Sequence, residues 1–325
     1  MLAVRNSRFT LCILVLVFIS FLFFARSDRH LSLPLPLPLP FSDSALREKL
    51  MVEEFHYNRM LEGRAKLIEK WGPTPSKVDP FPSHGEFYTI WDFFLPSFNC
   101  PHRVERVGVM GDGGKWVCGL ERIIHKRKCV MYSFGINGES SFEADIMKAA
   151  RSCELYGYDF SVNSFGPEID EDPELEQRSH FFPYALGPKD AHSPVDDPKM
   201  YTLRTLMDRN GHDFIDILKI DIEGNEYDSF EAFIDSFGGE PLPIGQLQIE
   251  IHVFKDQPWN DFAKVLKWWE KLEAAGLRPF FSESNLVYTN LIRGARPELI
   301  EYSFINIRGN HELISSHPRR YSVVH

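Results

Sequence analysis

Positive charge is scarce in this sequence. Its 36 Lys and Arg residues are set against 46 Asp and Glu residues, which gives a formal net charge of −10. No Lys/Arg-rich run occurs beyond short clusters such as residues 125–128. Because phosphate binding requires a basic face, this balance argues against a nucleic-acid partner. No internal repeat is visible, and no Asn-X-Ser/Thr glycosylation site occurs, so N-glycosylation gives no support for a lumenal location.

The amino-terminal segment predicts a membrane anchor. Residues 9–25 form a nearly unbroken apolar run, at the lower limit of the length that spans a bilayer. Arg5 and Arg8 precede this run and favour a cytosolic amino terminus. We therefore predict a cytosolic tail at residues 1–8 and a type II signal anchor at residues 9–25. A cleaved signal peptide, with cleavage at Ala25, is the alternative.

A linker and a helix follow the anchor. Residues 33–40 alternate leucine and proline, a pattern typical of extended polyproline backbone that acts as a stiff spacer. Apolar residues spaced among charges over residues 44–71 predict a stem helix, which either packs on the domain or pairs with a second copy. The predicted organisation is a proline-rich linker and stem at residues 26–85, followed by one globular domain at residues 86–325.

The few cysteines allow disulfides. Of five in total, Cys12 lies in the apolar run, which leaves Cys100, Cys118, Cys129 and Cys153 on the predicted lumenal side. Cys129 and Cys153 each open a predicted strand and lie nearly level if those strands are neighbours. Two buried free thiols are an equally good interpretation of this pair. Cys100 with Cys118 is the other candidate pair, and the sequence leaves the pairing open.

Strand-like and helix-like runs alternate from Cys129 onward. This alternation is typical of a mostly parallel α/β sheet with helices on both faces. Seven strands are predicted, at residues 129–134, 154–158, 180–184, 215–220, 246–251, 279–282 and 302–307.

Helix starts are predicted from capping boxes. Residues 140–143 and residues 228–231 each place Ser or Asp three positions before Glu. A third helix is predicted from about Trp259 to Ala275, because its apolar residues share one face and Gly276 follows as a stop signal.

Two motifs carry a family resemblance. Residues 215–226 read as a buried strand followed by Asp221, Glu223 and a glycine turn, at the sheet end where α/β proteins bind ligands. The part from Leu218 to Glu226 resembles the signature of FkbM-type S-adenosylmethionine (SAM) methyltransferases. Residues 112–118, followed by Tyr-Ser-Phe-Gly, narrow the likeness to the branch that includes the methyltransferase-like 24 proteins. The resemblance implies a Rossmann-like class I methyltransferase fold.

The resemblance also implies a SAM site. The turn after the first sheet strand, with Ser133, Gly135, Asn137 and Gly138, is expected to hold the methionine part and the ribose of the cofactor. Glu139 departs from the family pattern, because a glycine is expected at that position.

Further cofactor contacts are expected on the next strands. Asp159, at the end of the second strand, has the spacing of a carboxylate that accepts hydrogen bonds from ribose hydroxyls. Ala185 and Leu186 are placed near the adenine, and Asp221 near the reacting end.

The catalytic residues predicted are Asp221, Glu223, Glu250 and His252. They lie at the ends of two predicted neighbouring strands, and alternation places each pair on one side. We interpret them as a general-base site for a hydroxyl acceptor, with His252 expected to have the most nearly neutral pKa. A divalent-metal site and a set of paired polar groups closing the sheet end are the alternatives; no metal is assigned.

Asp112, Lys115 and Trp116 are predicted to bind the acceptor. Two glycines between them fit a tight turn at the cofactor mouth, where Trp116 can stack on a sugar ring. A loop tucked under the sheet is equally consistent with this spacing.

The expected function is SAM-dependent O-methylation of a glycan or small polar acceptor in the secretory pathway, with a lumenal domain in the Golgi. One alternative is a type II Golgi glycosyltransferase, because residues 170–172 form an Asp-Glu-Asp triplet. The other alternative is a membrane-tethered, non-catalytic methyltransferase-like domain. It is suggested by Glu139, which stands where the family pattern has glycine.

Overall fold

A computed structural model describes residues 43–83, 85–292 and 294–316, which belong to a unit that begins at Ser42. The strands are β1 (Val104–Val107), β2 (Lys115–Cys118), β3 (Cys129–Phe134), β4 (Cys153–Tyr158), β5 (Ser179–Phe182), β6 (Ala185–Leu186), β7 (Met200–Tyr201), β8 (Ile215–Ile220), β9 (Ile244–His252), β10 (Leu277–Ser284) and β11 (Leu299–Asn306). The α-helices are α1 (Asp43–Trp71), α2 (Leu120–Ile123), α3 (Ser141–Ala149), α4 (Pro167–Asp170), α5 (Pro173–Glu176), α6 (Leu203–Asn210), α7 (Glu226–Asp235), α8 (Phe262–Ala274) and α9 (Leu286–Leu291).

Seven strands form the central sheet, in the order β5-β4-β3-β8-β9-β11-β10. Neighbours from β5 to β9 run parallel, and β11 runs antiparallel to both β9 and β10. This confirms the predicted Rossmann-like class I methyltransferase sheet. The strand order reverses between β3 and β8, so their carboxyl ends form the switch point where open α/β sheets bind ligands.

The central strands are buried on both faces. All residues of β3, β8 and β9 are buried, as expected for parallel strands covered by helices. Alternate residues enter two different cores: Tyr132 and Leu218 pack in one, Met131 and Ile217 in the other. The apolar runs therefore determine both the strand positions and the two-sided covering.

The predicted helix starts are only partly right. α3 begins at Ser141, but the side chain of Ser140 does not cap it; Ser140 Oγ accepts a hydrogen bond from Gly166 N instead. α7 begins at Glu226, before the predicted cap at Asp228. α8 begins at Phe262 and is capped by Asp261, which accepts from the backbone of Lys264. At Ser140, a hydrogen bond to a distant backbone group replaces the helix cap that the local pattern predicts.

The predicted stem helix is α1, and it packs on the sheet domain. Arg64 lies buried on α1 and binds Glu273 of α8, with Nη2 2.7 Å from Oε1. Arg278 of β10 donates to Glu54 of α1 at 2.6 Å. Of the two possibilities left open by the sequence, packing on the domain is the one that the structure contains.

Both candidate cysteine pairs are disulfide-bonded. Cys129 and Cys153 are register partners on β3 and β4, with Cα atoms 4.2 Å apart. Cys100 and Cys118 are joined with Cα atoms 5.9 Å apart. The second bond ties the segment before β1 to the end of β2.

The predicted anchor at residues 9–25 and the leucine-proline segment lie outside the described residues. Among the helices that the structure does describe, none has the length and apolar content needed to span a bilayer.

His311 makes stability dependent on pH. Its buried ring places Nε2 2.9 Å from the backbone oxygen of Asn306, and Nδ1 has no hydrogen-bond partner among the described residues. Burial lowers the pKa of His311 to about 4, against about 6.5 in an unfolded chain. Between these values the unfolded chain binds more protons, so the free energy of unfolding rises with pH there.

We expect protonation of His311 to lower the free energy of unfolding by about 3 kcal/mol as the pH falls from 7 to 4. Urea unfolding at steps of pH measures the slope for the wild type and for His311→Asn. The variant should lack that part of the slope. An identical pH dependence in the two proteins would show that His311 is not a neutral buried group.

Candidate active site

Gly135 and Asp221 lie in contact at the switch point between β3 and β8. Asp221 N donates to Phe134 O at 3.0 Å, which continues the ladder one residue past the strands. Gly135 has a φ of 82°, and a Cβ atom built there lies 1.8 Å from Asp221 O. No other residue fits this approach, so glycine is required to bring the two strand ends together.

Asp159 holds the turn that follows β3. Its Oδ2 accepts from Ile136 N at 2.8 Å and from Asn137 N at 2.9 Å, while Oδ1 accepts from Ser161. Burial alone would raise the pKa of Asp159, but these hydrogen bonds lower it below its ordinary value. Ser161 Oγ also donates to Oδ1, so each carboxylate oxygen already accepts two hydrogen bonds, and a ribose hydroxyl would bind Asp159 only in place of one of these donors.

A buried polar network lies beneath the turn. Ser133 Oγ donates to Glu143 Oε1 at 2.5 Å, and Lys219 Nζ is 3.8 Å from the same oxygen. Lys219 also donates to the carbonyl oxygen of Gly135. Ser133, predicted to touch the cofactor, is buried in this network and does not line the cavity described next.

A cavity of about 370 Å³ opens at the switch point. Seven of the residues predicted for the site line it: Asp112, Lys115, Gly135, Asn137, Asp221, Glu223 and Glu250. The other lining residues include Glu139, Lys219, Asn285 and Tyr288. Acidic groups outnumber basic ones, so the cavity favours a cationic ligand.

His252 lies buried behind the cavity wall. Its backbone N–H donates to Glu226 Oε1 at 2.8 Å, and its Nδ1 is 3.1 Å from the same oxygen. Its Nε2 lies 3.5 Å from Glu223 Oε2 and 3.4 Å from Glu250 Oε2. The predicted gathering of three carboxylates and one imidazole at adjacent strand ends is therefore present in the structure.

The near-neutral pKa expected for His252 is wrong. Burial would lower it, but contact with Glu226 and Glu250 raises the pKa of His252 to about 11. These carboxylates therefore favour the protonated ring, which makes His252 unsuited to accept a proton from an acceptor. Of the predicted group, the carboxylates are the residues suited to that task.

Lys115 reaches the same cluster from β2. Its Nζ donates to Glu301 Oε1 and lies 4.0 Å from Asp221 Oδ2. Burial would lower the pKa of Lys115, but Glu301, Asp221 and Glu250 raise it above its ordinary value. Burial also raises the pKa of Glu301, and the charge of Lys115 offsets only part of this rise. The hairpin of β1 and β2 thus supplies the positive charge that lies beside Glu301, Asp221 and Glu250.

Besides Ser133 and His252, five predicted residues lie outside the lining: Trp116, Gly138, Asp159, Ala185 and Leu186. Trp116 stacks on Phe281 with ring centroids 4.0 Å apart and does not line the cavity. Ala185 and Leu186 form the short buried strand β6, outside the lining residues. Gly138 has a φ of 73° and helps to close the turn.

A family model described as a methyltransferase domain matches residues 56–305. The chain belongs to this methyltransferase family. The predicted membership of a methyltransferase-like family is thereby confirmed, and SAM is the cofactor of the domain. The FkbM-type character stays a prediction.

Two curated relatives are similar to this chain in sequence, and one solved structure is similar to it in fold. The chain is 28% identical over 182 residues to the probable methyltransferase-like protein 24 of Rattus norvegicus, covering 52% of this chain and 47% of the relative. It is 27% identical over 183 residues to that of Homo sapiens, covering 51% and 46%. It thus spans about half the length of these relatives. The Methanococcus jannaschii fibrillarin pre-rRNA processing protein shares 15% identity, with a TM-score of 0.33, over 63% of this chain and 71% of that protein.

Three residues of this methyltransferase site were missed from the sequence. Glu301 and Lys219 each lie within an apolar run, where a buried charge requires a partner, whereas Glu226 follows a glycine turn and shows no such signal. A charged residue inside an apolar run is the signal that could have drawn attention to Glu301 and Lys219. Their partners are far apart along the chain, which is why the pattern does not assign them to the site.

Proposed function

We propose that this chain transfers the methyl group of SAM to a hydroxyl oxygen of a glycan or another small polar acceptor. The observation that carries the proposal is that the Gly135 turn and the carboxylate cluster share one cavity. The turn belongs to the donor side of the fold, and the carboxylates suit a polar acceptor. Both partners of a displacement reaction can therefore meet at the switch point.

The residues around the cavity fit the cofactor. The acidic lining attracts its sulfonium and ammonium groups, and the Asp159-bound turn presents closely approachable backbone. Gly135, Asn137 and Asp221 would hold the cofactor, with Asp159 at the ribose. SAM supplies an activated methyl group, so the chain's own residues provide alignment and exclusion of water.

The acceptor proton goes to a carboxylate. As the bond from oxygen to the methyl carbon forms, the bond from that carbon to sulfur breaks and the hydroxyl loses its proton. Glu223 is the most exposed carboxylate of the cluster, and partial desolvation together with the charges of the neighbouring carboxylates raises its pKa. Glu250 lines the same wall and is oriented by Asn285 at 2.9 Å. Either carboxylate can take the proton.

The secretory-pathway location belongs to the same proposal. Two disulfides in a domain of this size support an oxidising compartment. With the apolar run at residues 9–25 as a signal anchor, the domain would be lumenal in a type II Golgi protein.

The glycosyltransferase alternative is less well supported. Asp172 of its Asp-Glu-Asp triplet caps α5 by accepting from Glu174 N and Leu175 N, and Asp170 ends α4. A helix cap explains this acidic stretch without a metal-bound nucleotide sugar.

Calorimetric titration of SAM into the purified chain tests the proposal. We expect micromolar binding in the wild type and at least about tenfold weaker binding in Asp159→Asn, because the turn loses charge-assisted hydrogen bonds. Transfer of radiolabelled methyl from SAM to a panel of sugars and glycans then identifies the acceptor class.

Asp172→Asn is the matched control, because that carboxylate also accepts from two backbone N–H groups but caps α5 instead of holding the turn that follows β3. Its SAM affinity should equal that of the wild type. A folded wild type that binds no SAM would favour the non-catalytic domain.

A further inference from the structure

We propose that Asp221, Glu223 and His252 form a binding site for a divalent transition-metal ion. Their ligand atoms all lie within 4.8 Å of one another. The three residues come from the ends of β8 and β9, at the wall of the cavity.

The imidazole is the observation that points to an ion. His252 is fully buried, and its Nε2 has no hydrogen-bond partner among the described residues. That nitrogen lies 3.5 Å from Glu223 Oε2 and 3.4 Å from Glu250 Oε2, and a metal ion bound there would take the place of the proton that these carboxylates favour. Two ligands that each lie about 2.1 Å from a metal ion, at tetrahedral or octahedral angles, are separated by about 3.0 to 3.4 Å. The observed spacing is therefore close to that of ligands around one ion.

Glu226 orients the imidazole as metal sites require. Its Oε1 lies 3.1 Å from His252 Nδ1, and its Oε2 accepts from Gly224 N at 2.8 Å. A histidine that ligates metal through one nitrogen almost always donates the other to a carboxylate or carbonyl. Glu226 is thus a positioning residue for the site, which fixes Nε2 toward Asp221 and Glu223.

A second acidic group beside the site does not call for an ion. Asp221, Glu250 and Glu301 also lie within 4.8 Å of one another. Lys115 donates to Glu301 within that group and already supplies a positive charge. Within the proposed site, Asp221 lies 4.0 Å from Lys115 Nζ, whereas Glu223 has no lysine or arginine partner among the ion pairs of the described residues.

The donor set selects the class of metal. One imidazole nitrogen with two carboxylates suits Mn²⁺, Fe²⁺, Co²⁺ or Zn²⁺ better than Ca²⁺ or Mg²⁺, which prefer oxygen alone. If the proposed methyl transfer holds, the ion would bind the acceptor oxygen and leave Glu250 to take its proton. The binding site itself does not depend on that function.

Metal titration of the purified, untagged chain tests the site without SAM. After treatment with a chelator, we expect one Mn²⁺ per chain by electron paramagnetic resonance, with coupling to an imidazole ¹⁴N. Glu223→Gln should weaken Mn²⁺ at least about tenfold. Its side chain is 75% exposed, so this variant should fold normally. His252→Asn should lose the ¹⁴N coupling.

Glu139→Gln is the control, because it removes one negative charge from the same cavity outside the three ligands. Its Mn²⁺ affinity should change less than about threefold, as expected for a screened charge. A folded wild type that binds no Mn²⁺ or Zn²⁺ would overturn the site. Equal binding by Glu223→Gln and the wild type would overturn it as well. Failure of SAM binding alone would leave it standing.

Discussion

Gly135→Ala is expected to lose about 3 to 5 kcal/mol of folding stability and all detectable SAM binding. The φ of 82° is strained for alanine, and its Cβ atom would lie 1.8 Å from the backbone oxygen of Asp221. Backbone cannot move aside as a flexible side chain can. The ends of β3 and β8 must therefore separate, and the turn and Asp221 move apart with them.

Gly138→Ala separates the two causes. Gly138 has a φ of 73°, but a Cβ atom there meets nothing within 4 Å. This variant should lose only about 1 to 2 kcal/mol of folding stability, which is the cost of placing alanine in left-handed backbone. Urea unfolding of both variants, with calorimetric SAM titration, measures the difference. Equal losses in the two variants would refute the close approach of the strand ends.

The sheet was predictable because buried parallel strands are continuous apolar runs. Ile215–Ile220 and Cys129–Phe134 have the bounds that the sequence predicts. Asp221 ends the first run and Gly135 ends the second, so the end of each strand is readable without knowledge of its neighbours. The helix starts were less readable, because Ser140 binds a distant backbone group instead of its own helix.

The candidate site was predictable only where its residues follow strand ends. Asp221 and Glu250 were found because both lie at carboxyl ends of apolar runs. Glu301 was missed because it reaches the site from the antiparallel strand β11, where it is the register partner of Glu250. Two carboxylates in register repel each other, and Lys115 from a separate hairpin compensates for them. Register between strands far apart in sequence is not encoded in either local pattern.

The alternation of side chains along a strand does not account for the position of Glu223, although the prediction of this residue relied on it. β8 ends at Ile220, and Glu223 has a φ of 55°, so a turn rather than strand alternation brings Glu223 beside His252. Non-glycine residues rarely adopt this conformation, and the surrounding contacts must stabilise it. A sequence without structure gives no sign of such a residue.

Arg64→Met is expected to destabilise the domain by about 3 to 5 kcal/mol, because it leaves the carboxylate of Glu273 with no charge partner. Arg64 Nη1 and Nη2 both donate to Glu273, at 3.1 and 2.7 Å, and Nε donates to Phe93 O at 2.7 Å. The side chains of this pair are only 5% and 11% exposed. The double variant Arg64→Met/Glu273→Met should recover much of the loss, since neither charge is then buried alone.

Urea unfolding of the two single variants and the double variant gives the coupling energy of the pair. The surface pair Arg204 and Asp208, with side chains 47% and 64% exposed, is the control. Arg204→Met should change stability by less than about 0.5 kcal/mol. A coupling near zero for Arg64 and Glu273 would mean that α1 is held loosely, as in a true stem. A large coupling makes α1 part of the folding unit, so that truncation before residue 86 would remove a buried ionic contact of the methyltransferase domain rather than a spacer.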